Sequence, residues 1–276
     1  MEKFMAADTN LELLFCINVL RLQSLHYGYW EGNETLDFKN LQNAQQRYTE
    51  TLVTLIPRDV KIVLDVGCGI GDIAYILAEK GYTVTAISPD KHHSKFFVNS
   101  TNKNVYFLNS KFEDFNSNQK FDLILMSESQ NYFETEIGFE KCTNLLRPGG
   151  YLFVSGMFRN NDTRRFEEIR NTEEQYIQKA RSFGFMLTKH LNITQNVLPT
   201  IKLANNVYRQ YLVAPLNLID LYLTNSKSIT TRLVKLFLLN NLKHSYLEAH
   251  RFYKKRLNPY LFRKHIKYSR LLFQLE

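Results

Sequence analysis

The stretch Val63-Leu-Asp-Val-Gly-Cys-Gly-Ile-Gly71 decides the fold of this chain. An apolar run leads into Asp65, three glycines follow within five residues, and apolar residues then recur with helical spacing from Ile73. The pattern predicts a buried strand, a glycine turn and a helix. Glycine lets a ligand approach the backbone closely, and the first turn of the helix offers unpaired N–H groups to an anion. We therefore expect a ligand site at this turn.

Two ligand classes bind at such a turn, and the spacing of the glycines separates them. The dinucleotide fingerprint is G-x-G-x-x-G, with an acid about 20 residues further on. Here Asp72 occupies the position of the last glycine, and the next strand ends in Ser88 and Pro89 instead of an acid. These departures argue against a dinucleotide. A purely structural turn is the other alternative, but three clustered glycines cost backbone entropy that a ligand site explains better.

Length and composition suit one globular domain with an added subdomain, since the chain has 276 residues, of which 44% are hydrophobic and 22% charged. Cys16, Cys68 and Cys142 share no paired spacing, which predicts reduced thiols in a cytoplasmic protein. We expect neither a signal peptide nor a membrane-spanning helix. We also expect no metal site, and we interpret His92 and His93 as a solvated helix face.

Positive charge is concentrated in the C-terminal quarter of the chain. Residues 200–276 hold 14 Lys and Arg against 3 acidic residues, whereas residues 1–199 hold 21 basic and 24 acidic residues. This asymmetry indicates an anionic partner for the C-terminal segment. The partner could be an acidic small molecule, a carrier-bound intermediate or a peripheral membrane surface. Nucleic acid is less favoured, because no recognisable RNA-binding module is present.

Strand and helix patterns alternate along most of the chain, which predicts an α/β fold with a parallel sheet and helices on both faces. We predict strands at 61–66, 83–87, 104–108, 121–126, 151–155, 185–193 and 267–276. We predict helices at 1–25, 39–56, 71–80, 90–100, 135–146 and 172–183. The corresponding domains are N-terminal helices with a covering loop (1–57), the sheet core (58–195), a helical, basic and aromatic cap over the sheet edge (196–265) and the final strand (266–276).

The order of several short motifs resembles the class I S-adenosylmethionine-dependent methyltransferases. The likeness is to the small-molecule branch that includes cyclopropane-fatty-acid synthases, tocopherol methyltransferases and natural-product methyltransferases. The motifs are His26–Trp30, Asp65–Gly71, Ala86–Pro89, Phe112–Phe115, Ser127–Tyr132 and Leu146–Gly150. The resemblance implies a doubly wound, seven-stranded Rossmann-like sheet with a helical cap inserted before the last strand.

The same resemblance implies S-adenosyl-L-methionine as cofactor and S-adenosyl-L-homocysteine as product. The implied reaction transfers a methyl group to an oxygen, nitrogen or carbon of a small biosynthetic molecule, apolar or anionic. An RNA methyltransferase, a lipid-modifying cyclopropane-synthase-like enzyme and a non-catalytic cofactor-binding subunit are the alternatives.

The resemblance places the methionine part of the cofactor over Gly67, Gly69 and Gly71, with Cys68 inside the turn. It assigns Asp65 to the cofactor's amino group, and an acid facing an ammonium agrees with that role. Most members carry an acid on the ribose hydroxyls where this chain has Ser88, so Asp90 is an alternative there. Only one of the adjacent acids 113 and 114 can face the adenine. The remaining implied cofactor contacts are Tyr27, Trp30, Ser88, Pro89, Phe112, Glu113, Asp114 and Ser127.

Two residues are candidates for catalysis. Glu128 follows a buried strand, where a carboxylate is unfavourable unless it is paired or functional, and a helix cap is its structural alternative. His26 has the side chain of a general base near neutral pH, although a lone histidine can equally be structural. The aromatic and amide side chains that we assign to substrate binding are Tyr29, Gln130, Tyr132, Tyr208 and Tyr211.

Overall fold

The structure is a computed structural model that describes residues 11–98, 102–160, 166–225, 228 and 253–276. Seven strands form one sheet in the order β3-β2-β1-β4-β5-β7-β6. The strands are β1 Ile62–Val66, β2 Thr83–Ser88, β3 Val105–Asn109, β4 Phe121–Ser127, β5 Leu146–Arg159, β6 Phe185–Asn192 and β7 Ile266–Leu275. The predicted seven-stranded α/β fold is confirmed. Only β5 is much longer than predicted, because its first residue pairs with Phe121 and its last ones pair with β7.

The helices are α1 Leu11–Leu14, α2 Phe38–Val53, α3 Asp72–Glu79, α4 Thr135–Leu145, α5 Glu173–Ser182, α6 Thr194–Val207, α7 Ala214–Asn225 and α8 Pro259–His265. Single π-helical turns cover Phe15–Val19 and Tyr208–Val213. The helix predicted over 90–100 is instead a 3-10 helix, Lys91–Phe96, which the Asp90 side chain caps by accepting from the His92 N–H. Residues 1–10 of the first predicted helix and residues 99–101 lie outside the described ranges.

The position of the site follows from the order of the strands. β1 pairs in parallel with both β2 and β4, and the chain proceeds from β1 outward in one direction and from β4 in the other. Right-handed crossovers then place α3 and α4 on opposite faces of the sheet. Ligands of such sheets bind beside the carboxyl ends of the strands at this switch point. In this chain the switch point lies between β1 and β4.

The last strand differs from the sequence-based expectation of a parallel sheet. β7 runs antiparallel to both neighbours, β5 and β6. The reason is that β6 ends at the carboxyl edge and β7 begins at that same edge, since Ile193 donates to the Tyr268 carbonyl. A strand that re-enters the sheet at the edge where its predecessor left it has to run in the opposite direction. Strand-helix alternation alone does not reveal this return.

At the amino ends of the central strands, a buried carboxylate connects β4 to the beginning of β1. Asp122, at the start of β4, accepts hydrogen bonds from the backbone N–H groups of Lys61 and Ile62 at 2.7 and 2.9 Å. Lys61 immediately precedes β1, and Ile62 is the first residue of that strand. The contact aligns the two central strands at their amino ends, and their carboxyl ends therefore meet in register.

Two compact units make up the chain: residues 1–197 with 265–276, and residues 198–264. The first unit contains the whole sheet and its main core, which packs aromatic and aliphatic side chains such as Phe139, Phe153 and Phe273. The second unit is helical where it is described. The predicted role of this second segment as a cap stays a prediction. Among the described residues, no helix is both long and apolar enough to cross a bilayer.

Candidate active site

A cavity of about 580 Å³ opens at the carboxyl ends of the first four strands, within the ~300–1,000 Å³ range of small-molecule sites. Its lining comes from the segments that follow β1, β2, β3 and β4, together with Leu25 and His26. Five carboxyl side chains line it, against the single lysine Lys111 and two histidines. The lining acids are Asp65, Asp72, Asp90, Glu113 and Glu128. The site therefore favours a cationic ligand.

The glycine turn forms the floor of this cavity. Gly67, Gly69 and Gly71 all have positive φ angles, +77°, +55° and +88°. A Cβ on Gly67 would lie 2.6 Å from the Ser129 Cβ, and one on Gly71 would lie 2.5 Å from the Phe97 ring. A Cβ on Gly69 would meet only Leu25, at 3.7 Å. Gly67 and Gly71 are thus required by packing, whereas Gly69 is the glycine whose open side is available to a ligand.

Asp65 carries the feature that most clearly points to ligand binding. Its side chain is buried at the end of β1, and Oδ2 has no hydrogen-bond partner within the described chain. Burial and then the charge of Asp72 raise the pKa of Asp65 to about 7, although His26 opposes the rise. A buried acceptor without a donor is unfavourable, and a cationic donor in the cavity would satisfy it.

The thiol in the turn is not chemically activated. Cys68 is buried and lines the cavity. Burial, followed by the neighbouring Asp65, raises the pKa of Cys68. Nucleophilic cysteines have a lowered pKa. Cys68 is therefore a wall of the cavity.

Ser88, at the end of β2, is already engaged by neighbouring residues. Its Oγ lies 2.8 Å from His93 Nδ1 and accepts from the Asp90 N–H at 3.2 Å. The interpretation of His93 as solvated was wrong, because His93 lines the cavity and burial lowers its pKa. Asp90 and Pro89 also line the cavity. An acid and a hydroxyl thus stand together where the resemblance implies a ribose contact.

The segment after β3 separates two adjacent acids. Phe112 is buried and Glu113 is partly buried, and both line the cavity. Asp114 is exposed and does not line it. Phe112 packs on Phe133 with ring centroids 5.0 Å apart, which fixes an aromatic wall beside Glu113. Of the two alternatives that the sequence leaves open, Glu113 is the acid directed at the cavity.

Glu128 is held in an unusual backbone conformation just after β4. Its φ of +63° is in the left-handed region, which non-glycine residues rarely occupy outside functional or strained sites. Oε1 accepts from the Tyr27 N–H at 2.9 Å and from the Tyr268 hydroxyl at 2.6 Å. Burial raises the pKa of Glu128, although the charge of His26 and these hydrogen bonds act against the rise. Ser127, the preceding residue, also lines the cavity.

Both ring nitrogens of His26 lie next to acceptors. Nδ1 is 2.7 Å from the Tyr27 carbonyl, and Nε2 is 2.9 Å from Asp72 Oδ2. A ring that faces two acceptors is satisfied when it carries a proton on each nitrogen. Burial lowers the pKa of His26, but the charges of Asp72 and Glu128 outweigh burial, and the net direction is upward. The protonated ring has no lone pair for a proton, which makes Glu128 the better candidate for a general base.

Most of the remaining predicted contact residues lie outside the cavity lining, and Tyr132 is the exception. Tyr27 contributes its backbone to Glu128, and Trp30 is buried with its N–H bonded to the Asn196 carbonyl at 2.9 Å. Gln130 is buried and donates to the Met157 carbonyl. Tyr132 lines the cavity and is 77% exposed. Tyr29, Gly71 and Asp114 do not line the cavity, and Tyr208 and Tyr211 belong to the second unit.

No sequence pattern points to the two buried tyrosine hydroxyls of the group that contacts Glu128. Tyr48 on α2 and Tyr268 on β7 are fully buried, and their hydroxyl oxygens are 2.9 Å apart. They are 220 residues apart in the chain, and no motif links them. In the sequence, Asp72 stands out only as a departure from a glycine pattern. In the structure, it is the ion-pair partner of His26.

Comparison with known proteins agrees with this geometry. Residues 64–154 match the family described as "Methyltransferase domain". The ubiquinone biosynthesis O-methyltransferase of Thiobacillus denitrificans is 27% identical over 148 residues, which are 51% of this chain and 63% of the relative. The chain thus matches less than two thirds of that relative's length.

Solved structures share the fold across almost the whole chain. Geranyl diphosphate C-methyltransferase from Streptomyces coelicolor, in complex with Mg²⁺, geranyl-S-thiolodiphosphate and S-adenosyl-L-homocysteine, has a TM-score of 0.64 at 13% identity, covering 99% of this chain and 94% of that one. Mycolic acid cyclopropane synthase, complexed with S-adenosyl-L-homocysteine and CTAB, has a TM-score of 0.65 at 15% identity, covering 98% and 100%. At these identities the likeness establishes the fold.

Proposed function

We propose that this chain is a class I S-adenosylmethionine-dependent methyltransferase that binds S-adenosyl-L-methionine and methylates a small biosynthetic molecule. The observation that carries the proposal is the buried, unpartnered Oδ2 of Asp65 beside the glycine turn. An ammonium group would satisfy that oxygen, and the open side of Gly69 leaves room for the chain attached to it. The excess of acids around the cavity suits a ligand that carries a sulfonium and an ammonium.

The cavity residues divide the task of holding this ligand. We assign Asp65 to the amino group, Asp90 with Ser88 to the ribose, and Glu113 with Phe112 to the adenine. All of them line one continuous cavity. Bound S-adenosyl-L-methionine supplies a methyl group on a sulfonium, which is a good leaving group. The protein then has mainly to position the acceptor in line and exclude water.

Glu128 is the residue that we assign to the proton of the acceptor. It lines the same cavity, and burial raises its pKa. A carboxylate whose pKa is raised toward neutrality is a competent general base for a hydroxyl, an amine or an acidic carbon. His26 would then act on Glu128 as a nearby fixed charge and not as a base.

For the acceptor we propose a small molecule with an apolar body, an anionic group or both. The basic C-terminal segment and the exposed aromatic side chain of Tyr211 support this class. The similarity to a ubiquinone biosynthesis O-methyltransferase and to a geranyl diphosphate C-methyltransferase supports it too. Tyr208 packs near Tyr253 within the second unit, with ring centroids 5.6 Å apart, and is the more internal of the two predicted substrate contacts.

Two measurements test the proposal. Calorimetry with S-adenosyl-L-homocysteine should give saturable binding to the wild type and at least tenfold weaker binding to Asp65→Asn. Methyl-labelled cofactor, offered with a panel of phenolic, carboxylic and prenyl diphosphate acceptors, should then yield a labelled product by mass spectrometry. If neither the cofactor nor its demethylated product binds, the proposal is wrong.

A further inference from the structure

A chain of four hydroxyl groups ends on Glu128. Tyr48 Oη lies 3.0 Å from Ser127 Oγ, 2.7 Å from Ser155 Oγ and 2.9 Å from Tyr268 Oη. The Tyr268 hydroxyl donates to Glu128 Oε1 at 2.6 Å. These side chains come from α2, β4, β5 and β7, so four separate elements converge on one carboxyl group.

Counting protons fixes the direction of these hydrogen bonds. A hydroxyl has one hydrogen, and that of Tyr268 is used on Glu128. Tyr48 therefore donates to Tyr268, and Ser127 and Ser155 donate to Tyr48. Every bond in the chain then points toward Glu128, and hydrogen bonds aligned in this way strengthen one another. The arrangement favours a negative charge on Glu128.

Arg270 and His26 are the basic side chains that act on this group of residues. Arg270 lies over the Tyr48 ring at 4.7 Å and donates to the Tyr48 carbonyl. Burial and the charge of Glu128 raise the pKa of Tyr48, and the charge of Arg270 acts against that rise. His26 also favours ionised Glu128, whereas burial and Asp72 oppose it. The Tyr268 hydroxyl and His26 thus offset part of the cost of burying the Glu128 carboxylate.

We propose that Tyr268, with Tyr48 behind it, is a positioning residue that keeps Glu128 ionised and turns one of its oxygens toward the methyl acceptor. The Tyr27 N–H and the Tyr268 hydroxyl both bind Oε1, and Oε2 is left for the cavity that Glu128 lines. The role of this contact in methyl transfer rests on the proposed function. The effect of Tyr268 on the charge of Glu128 is independent of that function.

Infrared titration of the cofactor-free protein tests the proposal without turnover. The carboxylic acid band that Glu128→Gln abolishes reports the protonation of Glu128. In Tyr268→Phe its midpoint should move upward by about one to two pH units, because a hydrogen bond to the charged form is lost. Tyr48→Phe is the matched control: it removes a hydroxyl from the same network but leaves the donor to Glu128, so the shift should be clearly smaller.

An isosteric change covers the case in which Tyr268→Phe does not fold. A ring-fluorinated tyrosine at position 268 is a stronger donor of the same shape, and the midpoint should move downward. If acceptors are found, the acidic limb of the pH–kcat profile should shift in the same directions, with little change in the KM for the cofactor. An unmoved midpoint in both Tyr268 variants, or equal shifts in Tyr268→Phe and Tyr48→Phe, would overturn the proposal. If the titration midpoints move as expected but no methyl transfer is detected, that result would count only against the proposed function.

Discussion

At the scale of single residues, two acids in this site are held in opposite ways. Glu128 is surrounded by donors that favour its ionised form, whereas Asp65 Oδ2 has no donor among the described residues. Asp65 should therefore be partly protonated near pH 7 until a cationic ligand enters. The cofactor-free protein stores an unfavourable contact that binding would relieve.

Replacing Asp65 should make the stability of the cofactor-free protein less dependent on pH. The folded-state pKa of about 7 exceeds the unfolded value of about 3.9. The folded protein thus keeps a proton that the unfolded chain loses, and wild-type stability falls as the pH rises from about 4 to 7. In Asp65→Asn this fall should shrink by up to about 4 kcal/mol. Urea unfolding at pH 4.5 and pH 8 measures it.

A matched control for that experiment is Asp114→Asn, because Asp114 is an exposed acid of the same region. Its pH dependence of unfolding should equal that of the wild type. If Asp65→Asn behaves like Asp114→Asn, the carboxyl group at position 65 is ionised in the folded protein near neutral pH.

Substitution at Gly69 should remove binding without removing the fold. A side chain there meets only Leu25, and the left-handed backbone costs about 1–2 kcal/mol for a non-glycine residue. Gly69→Arg should therefore fold and lose detectable affinity for S-adenosyl-L-homocysteine in calorimetry, because the side chain fills the cavity. Gly81→Arg carries the same type of penalty, at a φ of +91° with open space around it, and should bind normally. Retained affinity in Gly69→Arg would contradict the placement of the ligand.

Some residues of the site could be predicted from the sequence, and others could not. Asp65, Gly67 and Gly69 belong to a contiguous motif and line the cavity, whereas Gly71 of the same motif does not. Their predicted contacts with a cofactor stay predictions. The choice between Glu113 and Asp114 needed the local backbone, which points adjacent side chains in different directions. Tyr48 and Tyr268 were not accessible from the sequence, since their contact depends on two elements at opposite ends of the chain.

At the scale of secondary structure, the carboxyl ends and the amino ends of the central strands have different roles. The carboxyl edge carries Asp65 and Glu128, and the amino edge carries Asp122. Both Asp65 and Asp122 are buried, but Asp122 accepts two backbone hydrogen bonds and needs no ligand.

Removing the Asp122 contact should destabilise the protein and leave ligand affinity unchanged. Asp122→Ala deprives the Lys61 and Ile62 N–H groups of their acceptor and Arg147 of one of its carboxylate partners. The free energy of unfolding should fall by about 2 kcal/mol. Asp59→Ala at the same edge removes an exposed carboxylate that is paired with Arg147, and should cost less than about 1 kcal/mol. Urea unfolding gives both values. A loss of cofactor affinity in Asp122→Ala, measured by calorimetry, would show that the two edges are coupled.

The elements that sequence patterns predicted well are those with a purely local cause. Buried runs of apolar residues gave the strands to within one or two residues, apart from the ends of β5, and Gly81 and Gly184 follow their helices with positive φ. The direction of β7 has no local cause. It depends on where the chain returns to the sheet after the 73 residues 193–265 that connect β6 to β7. Alternation of strand and helix therefore predicted a parallel strand where an antiparallel one forms.

At the scale of the whole molecule, the sheet and the proposed cofactor site belong to one unit and most of the excess positive charge to the other segment. Every cavity-lining residue that the structure describes lies in the first unit. Cofactor binding and acceptor selection should therefore be separable.

Removal of residues 200–260, with a glycine-serine linker in their place, should abolish methyl transfer while cofactor affinity changes less than about tenfold. The reason is that the cavity lining remains intact in the first unit. Calorimetry and a labelled-methyl assay on the same preparation measure the two properties. Circular dichroism serves as the control for folding. Equal loss of both properties in a folded variant would show that the segment is scaffold instead of an acceptor site.

The placement of β7 between β5 and β6 has a consequence for biosynthesis. β6 pairs within the sheet only with β7, so it leaves the ribosome more than 70 residues before its partner exists. During that interval the nascent chain exposes the edge of β5, and an exposed strand edge invites association with other chains. Chaperone demand during translation should therefore be greatest between the synthesis of β6 and that of β7.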